Sequence, residues 1–158
     1  MHKIQIVHEY RKDEMRKIFD EYLTELAEFD PHIQFDENGK PIYKWFDAYW
    51  QEPDRFPFFM IIDGEIAGLS MIRAVGEIGY EVAEFYVLPA YRKNGNALWF
   101  AQEVLKMFEG QIELGTRLEN KRAIKFWTKF VQNYDVYACI DEDGWRNWTL
   151  FHQNETYL

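Results

Sequence analysis

The segment from Val87 to Leu105, VLPAYRKNGNALWFAQEVL, opens as the end of a strand and closes as an amphipathic helix. Arg92, Lys93, Asn94 and Gly95 fill the junction. A helix N-terminus leaves backbone N–H groups without partners and carries partial positive charge. A glycine in that turn lets the backbone approach an anion closely. Two adjacent cations then suit a phosphate or pyrophosphate. The same residues also describe a plain strand-to-helix turn with Asn94 as its N-cap. A second basic stretch, NKRAIKFWTK, carries Lys121, Arg122, Lys125 and Lys129. For most of those lysines, solvated charges at a helix end are the better account than a ligand role.

Both patches stand in an acidic chain, with 27 Asp and Glu against 18 Lys and Arg and a net charge of −9. That balance disfavours a nucleic-acid partner and draws in cationic substrates. Neither a G-x-x-x-x-G-K-[ST] loop nor a G-x-G-x-x-G fingerprint occurs, so a nucleotide-binding enzyme of those types ranks last. His8, His32 and His152 lack metal-ligand spacing, and no metal is expected. The N-terminus has no apolar signal-peptide core, and no apolar run approaches the roughly 20 residues of a membrane span. The single cysteine, Cys139, has no internal disulfide partner. These features predict a soluble cytoplasmic protein that does not engage a membrane. Cys139 lies in DVYACI, which reads as a strand, and a buried apolar role is expected for it.

The elements that must position the junction follow from periodicity. KIQIVHEY reads as a first strand, with Ile4 and Ile6 alternating against polar neighbours. DEMRKIFDEYLTELAEF is a helix with Asp13 as N-cap; Met15, Ile18, Phe19, Tyr22, Leu23 and Leu26 share one face. A turn-rich loop, DPHIQFDENGKP, leads to a second helix over IYKWFDAYW, with Ile42, Trp45, Phe46 and Tyr49 on one side. Two apolar runs then flank Asp63-Gly64, a hairpin signal. YEVAEFYVL is a strand ended by Pro89, and GNALWFAQEVLKMF is a helix with a stripe from Ala97 to Phe108. QIELGT is a strand, NKRAIKFWTKF a helix, and DVYACI with WRNWTLF a closing hairpin. The β-α-β unit from Tyr80 to Thr116 requires at least one parallel pair, joined by a right-handed crossover. The predicted class is α/β (α+β): a mixed, mostly antiparallel twisted sheet flanked by helices, with residues 1–158 as one domain.

EFYVLPAYRKNGNALWFAQEVL resembles the coenzyme-binding signature of the GNAT superfamily, the acetyl-CoA-dependent N-acyltransferases. Their R/Q-x-x-G-x-G/A motif after a V-x-P strand end is matched by Arg92-Lys93-Asn94-Gly95-Asn96-Ala97 behind Val87-Leu88-Pro89. Asn120, Ala123, Phe126 and Trp127 match a further element on the next helix, and the element order follows the family's fold along nearly the whole chain. The resemblance implies that backbone amides from Arg92 to Ala97 hold the pyrophosphate of acetyl-CoA. Main-chain groups of Phe85, Tyr86 and Val87 would pair with the pantetheine arm, in a V-shaped opening beside QIELGT. Asn120 would bond the coenzyme and Phe126 would pack on it. Asn120 reads equally as an N-cap, and Phe126 as plain core.

Acyl transfer to a primary amine needs a neutral nucleophile, stabilisation of the developing oxyanion and a proton for the thiolate. The resemblance assigns the oxyanion to a backbone N–H on the EFYV strand. Glu84 and Glu81 are the candidate bases. Strand alternation points them to opposite faces unless a bulge intervenes, and burial would have to raise the pKa of the one that works. Either is also readable as a surface charge. Where many relatives carry a tyrosine acid, this chain has Trp127, and the glycine usual after that helix is missing from TKFVQNYDVY. Tyr134 and Tyr137 lie downstream without an assigned place. The acceptor pocket would draw on the first two helices, the loop DPHIQFDENGK between them and the closing hairpin. Those regions carry Trp45, Tyr49, Trp50, Trp145 and Trp148, with Asp30, Asp36, Glu37, Asp141, Glu142 and Asp143. An aromatic and acidic lining suits an amine or ammonium head, though each residue taken singly is better read as aromatic core or acidic surface loop. The leading expectation is an N-acetyltransferase acting on a small-molecule or peptide amine; the alternative is an acyl-CoA-binding sensor or scaffold. Exposed edge strands in the closing hairpin could support a homodimer.

Overall fold

The first helix, α1 (Lys12–Leu26), forms where apolar residues recur every three or four positions, and it buries Met15, Phe19, Tyr22 and Leu23. Arg11 takes its cap position without a side-chain bond. Asp13 lies one position inside the first turn, where its charge still favours the helix N-terminus. The structure is a computed structural model and describes residues 1–77 and 79–153. The expected second helix shrinks to α2 (Ala48–Gln51). The preceding residues wind in three-residue turns, Phe46 N–H to Tyr43, Ala48 N–H to Trp45 and Tyr49 N–H to Phe46. Phe46 and Tyr49 are buried, while Ile42 and Trp45 face solvent.

Among the described residues, seven strands make one sheet in the order β1-β2-β3-β4-β5-β7-β6. They are β1 (His2–Ile6), β2 (Arg55–Ile62), β3 (Glu65–Val75), β4 (Gly79–Val87), β5 (Gly110–Arg117), β6 (Asp135–Ile140) and β7 (Trp145–His152). Asp63 and Gly64 join β2 to β3 with φ of 49° and 85°, the paired left-handed conformation that a tight hairpin turn requires. Every pairing is antiparallel except β4 with β5. α3 (Asn96–Leu105) makes that crossover, and α4 (Lys121–Phe130) follows β5. Phe108 lies just beyond α3 but stays buried against Phe56 and Tyr80.

Two apolar clusters flank the sheet, one holding α1 and α2 residues with Phe59, Leu69, Met71 and Tyr86, the other α3 and α4 residues with Val82, Val87 and Ile112. Among the described residues, no helix is long and apolar enough to cross a membrane. Two expectations fail at the sheet's edges. Ile6 on β1 is exposed, and the buried residue is Val7 just after the strand. Every residue of β6, Cys139 included, is exposed: among the described residues β6 pairs only with β7 and no helix covers it.

Candidate active site

β4 and β5 pair over only three positions, Gly79–Gln111, Tyr80–Ile112 and Glu81–Glu113, and then diverge. Among the described residues, the β5 side of β4 has no strand partner from Val82 to Val87, and this is the V-shaped opening that the resemblance implies. The divergence coincides with a bulge. Opposite β3, Glu84 faces Met71 and Val82 faces Ile72, so Ala83 is an extra residue. The bulge restores Glu81 and Glu84 to one face of the strand, the face turned toward α1.

The turn after β4 leads into α3. Gly95 takes the N-cap position in the left-handed conformation, φ 72°, and Asn94 beside it is also left-handed at 58°. Asn94 is therefore not the cap. Among the described residues, the amides of Lys93, Asn94, Gly95 and Ala97 meet no carbonyl. Those of Arg92 and Asn96 bond Pro89 and Lys93 instead, so four of the six expected amides are free for an anion. The side chain of Asn96 is committed as well, bridging the His2 ring at 2.8 Å and the Tyr91 carbonyl at 3.0 Å.

A cavity of about 420 Å³ runs from this turn to the strand opening. Phe85, Tyr86, Val87, Arg92, Lys93, Gly95, Asn96, Ala97, Asn120 and Phe126 all line it; Asn94 and Glu84 do not. Phe85 packs between Phe100 and Phe126 at 5.1 and 5.9 Å. Arg92 stretches back along β4, giving Nε–H to the Val87 carbonyl at 2.8 Å, so that carbonyl is already taken. Its Nη2 reaches Glu25 of α1 at 2.9 Å, and Arg122 of α4 reaches the other Glu25 oxygen at 2.7 Å. Burial opposes the Glu25 charge, but the two arginines outweigh it and hold the carboxyl below its ordinary value. The free amides, the two cations and the apolar slot suit a chain bearing a diphosphate at one end.

Glu84 and Glu81 differ in surroundings. Glu81 is bound to Arg73 at 2.7 Å. Glu84 accepts a hydrogen bond from the Tyr22 hydroxyl at 2.5 Å. Solvent reaches some of the Glu84 residue, yet protein crowds its carboxyl from all sides. That crowding raises its pKa to about 7, against the opposing hydrogen bonds of Tyr22 and Tyr43. The tyrosines respond in turn: burial, then the Glu84 charge, pushes the hydroxyls of Tyr22, Tyr43 and Tyr49 above their ordinary range. Tyr49 is buried with no partner for its hydroxyl among the described residues. A carboxylate that titrates near neutrality can accept a proton from an amine.

The family model of the acetyltransferase (GNAT) family matches residues 12–131. The chain belongs to that family. Comparison with curated proteins finds no sequence match. Among solved structures, the fold is similar to the ribosomal-protein-S18-alanine N-acetyltransferase of Escherichia coli, with TM-score 0.64, 14% identity and full coverage of both chains. The GNAT domain of S. lividans PAT gives TM-score 0.70 at 14% identity, covering 96% of this chain and 90% of that one. A PaiA N-acetyltransferase of Thermoplasma acidophilum, solved in complex with coenzyme A, gives 0.66 at 12% identity, covering 96% and 99%.

The other residues that the GNAT resemblance singles out take varied places. Trp127 is buried core, edge-on to Phe85 at 5.0 Å and to Phe130 at 5.5 Å. Tyr134 packs on Phe130, Tyr137 is exposed, and neither lines the cavity. Asn120 caps α4, its side-chain oxygen accepting from Ala123 N–H at 3.2 Å, while the residue also lines the cavity. The acidic and aromatic lining disperses. Trp148 is core, and Trp45 stacks on Lys44 and Arg55. Asp30, Asp36 and Asp141 bond backbone amides of their own turns. Tyr22, Tyr43 and Glu25 are site neighbours that sequence reading misses. Tyr22 hides in an ordinary core stripe, and no local pattern marks the other two.

Proposed function

We propose that this GNAT protein moves an acetyl group from acetyl-CoA to a primary amine of a small molecule or peptide, by direct attack in a ternary complex. The observation that carries the reading is one cavity joining the free amides at the start of α3 to the diverging strands, with the hydrogen-bond partner of Glu84 in its wall. In this reading the amides of Lys93, Asn94, Gly95 and Ala97 hold the diphosphate, assisted by Arg92 and Arg122. The pantetheine arm lies along Phe85, Tyr86 and Val87, between Phe126 and α1. A backbone N–H of the same strand faces the acyl oxygen. Glu84 is the base, and Glu81, paired with Arg73, serves as a fixed charge beside it. The acetyl group itself supplies the electrophilic carbonyl; the chain supplies binding, orientation and proton acceptance.

A groove of about 760 Å³ between α1 and the loop at Gly39–Pro41 shares Glu25 and Tyr86 with the cavity; Asp20 is held by Arg16, and Glu21 and Glu28, set beside Lys17 and Lys40, are the carboxylates a cationic acceptor would meet. We read residues 1–158 as one such domain, acting in the cytoplasm, where an exposed cysteine stays reduced. The uncovered edge of β6 supports a homodimer, which sedimentation tests. The sensor alternative draws on one observation, a buried tryptophan where the acid would stand.

Thermal shift with acetyl-CoA and thiol release over polyamines, aminoglycosides, amino acids and peptides test the proposal. Coenzyme at a hundred times its Kd should add about 2.7 kcal/mol of stability, and at least one amine should release thiol. Stabilisation without release favours the sensor; no stabilisation overturns both.

A further inference from the structure

We infer that Tyr22 is the group through which Glu84 removes the proton from the attacking amine, so that the base works by a relay across the cavity wall. The inference rests on the acyl-transfer reading above. Glu84 does not line the cavity, although its neighbours Phe85, Tyr86 and Val87 do. The bulge at Ala83 turns its side chain beneath α1. Tyr22 joins the two: it lines the cavity and gives its hydroxyl to Glu84 Oε2 at 2.5 Å. The residue is 8% exposed and its ring is held between Phe19 at 5.7 Å and Tyr86 at 5.3 Å, so the hydroxyl is aimed before substrate arrives.

The relay passes protons without making a phenolate. As an ammonium gives a proton to Tyr22 Oη, the Tyr22 hydroxyl proton moves to Glu84 Oε2, and the tyrosine is neutral before and after. The neutral amine nitrogen then forms a bond to the acyl carbon. The C–S bond breaks, its electron pair leaves on sulfur, and the second proton shed by nitrogen reaches the sulfur through solvent. The charged and titratable groups around this pair are Tyr43 and Asp30 from the loops, Tyr49 of α2 and Glu81 of β4, with Arg55 of β2 and Arg73 of β3 acting on Tyr49. Tyr86 packs on Tyr22 and lines the cavity, but its hydroxyl goes to Glu25; among the described groups that act on Glu84, Tyr22 borders the cavity and Tyr43, Asp30 and Glu81 do not.

The test is thiol release with acetyl-CoA and the fastest amine of the panel, from pH 6 to 10, for Tyr22→Phe, Glu84→Gln and the double variant. Each single variant should lose about 10²- to 10⁴-fold in kcat/KM at pH 7, with stabilisation by coenzyme A unchanged. The double variant should be no slower than the slower single one, because the two groups act as a unit. All three should approach the parent rate as the pH nears the pKa of the amine, where solvent supplies the neutral nucleophile. Fluorotyrosine at position 22 keeps the hydroxyl and should restore most of the rate; phenylalanine should not. A merely structural role would lower the rate equally at every pH. Wild-type behaviour of Tyr22→Phe beside a slow Glu84→Gln, or losses that multiply in the double variant, overturns the relay and leaves Glu84 as base. A wild-type rate for Glu84→Gln overturns the base assignment itself. Silence of the whole panel with coenzyme bound overturns the acyl-transfer reading and the relay with it.

Discussion

Glu84 should weaken the fold at the pH where it works. Its carboxyl moves from an ordinary 4.5 to about 7, chiefly through burial. Between those two values the unfolded chain has lost the proton while the native protein keeps it. Stability contributed by the protonated group is therefore complete below pH 4.5 and lost as the pH rises through about 7. At about 1.4 kcal/mol for each pH unit, the interval amounts to about 3 kcal/mol. Glu84→Gln removes the charge and keeps an oxygen for the Tyr22 hydroxyl. It should be up to about 3 kcal/mol more stable than the parent at pH 8, with the gain vanishing toward pH 4. Urea denaturation followed by tryptophan fluorescence at several pH values measures the difference, and other titrating groups cancel between the two proteins. A gain in stability with a loss of turnover is the trade expected at a strained catalytic position. A difference that stays constant from pH 5 to 8, or a variant weaker than its parent at pH 8, would refute the reasoning.

Three further perturbations separate local roles. Gly95→Val forces a branched residue into the left-handed region, at a cost of about 1–2 kcal/mol from the backbone alone. A Cβ there meets nothing within 4 Å, so the protein should fold with a lowered Tm and lose its stabilisation by acetyl-CoA; full retention of that stabilisation contradicts the diphosphate site. Asn120→Ala should cost about 1 kcal/mol in chemical denaturation, and Asn120→Asp should recover it, because an aspartate accepts the same cap bond. No loss on Asn120→Ala would remove the cap. Cys139 should react fully with an aromatic disulfide reagent in the native state, at a rate close to that in denaturant; a protected thiol contradicts an exposed β6.

How far sequence reading reaches depends on whether a feature is local. The Asp63-Gly64 turn, the α1 stripe and the strand-turn-helix around Gly95 are set by neighbouring residues, and each stands where the pattern puts it. The parallel β4–β5 pair follows from chain connectivity. The orientation of Glu84 does not, because the bulge beside it is defined only by pairing with β3. Cys139 carries apolar neighbours like any buried strand, yet nothing in DVYACI says that no helix will cover it. The acidic loops mislead for a related reason. Asp36 and Asp141 satisfy their own turns, a short-range demand indistinguishable in sequence from a charge held ready for a ligand. Glu25 meets Arg92 and Arg122 from 67 and 97 positions away, and no spacing rule spans such gaps.

Ala83 carries an outsized consequence for how this strand tolerates change. Counting in twos from Tyr80 and Val82 would send the next apolar partner to residue 84, but the apolar row resumes at Phe85 and Val87. A deletion at 83 would remove the bulge yet leave both rows in place, Glu84 toward α1 and Phe85 toward the aromatic cluster beneath α3. The bulge thus absorbs one extra residue without turning the acid away, and leaves that residue to bend β4 where it parts from β5.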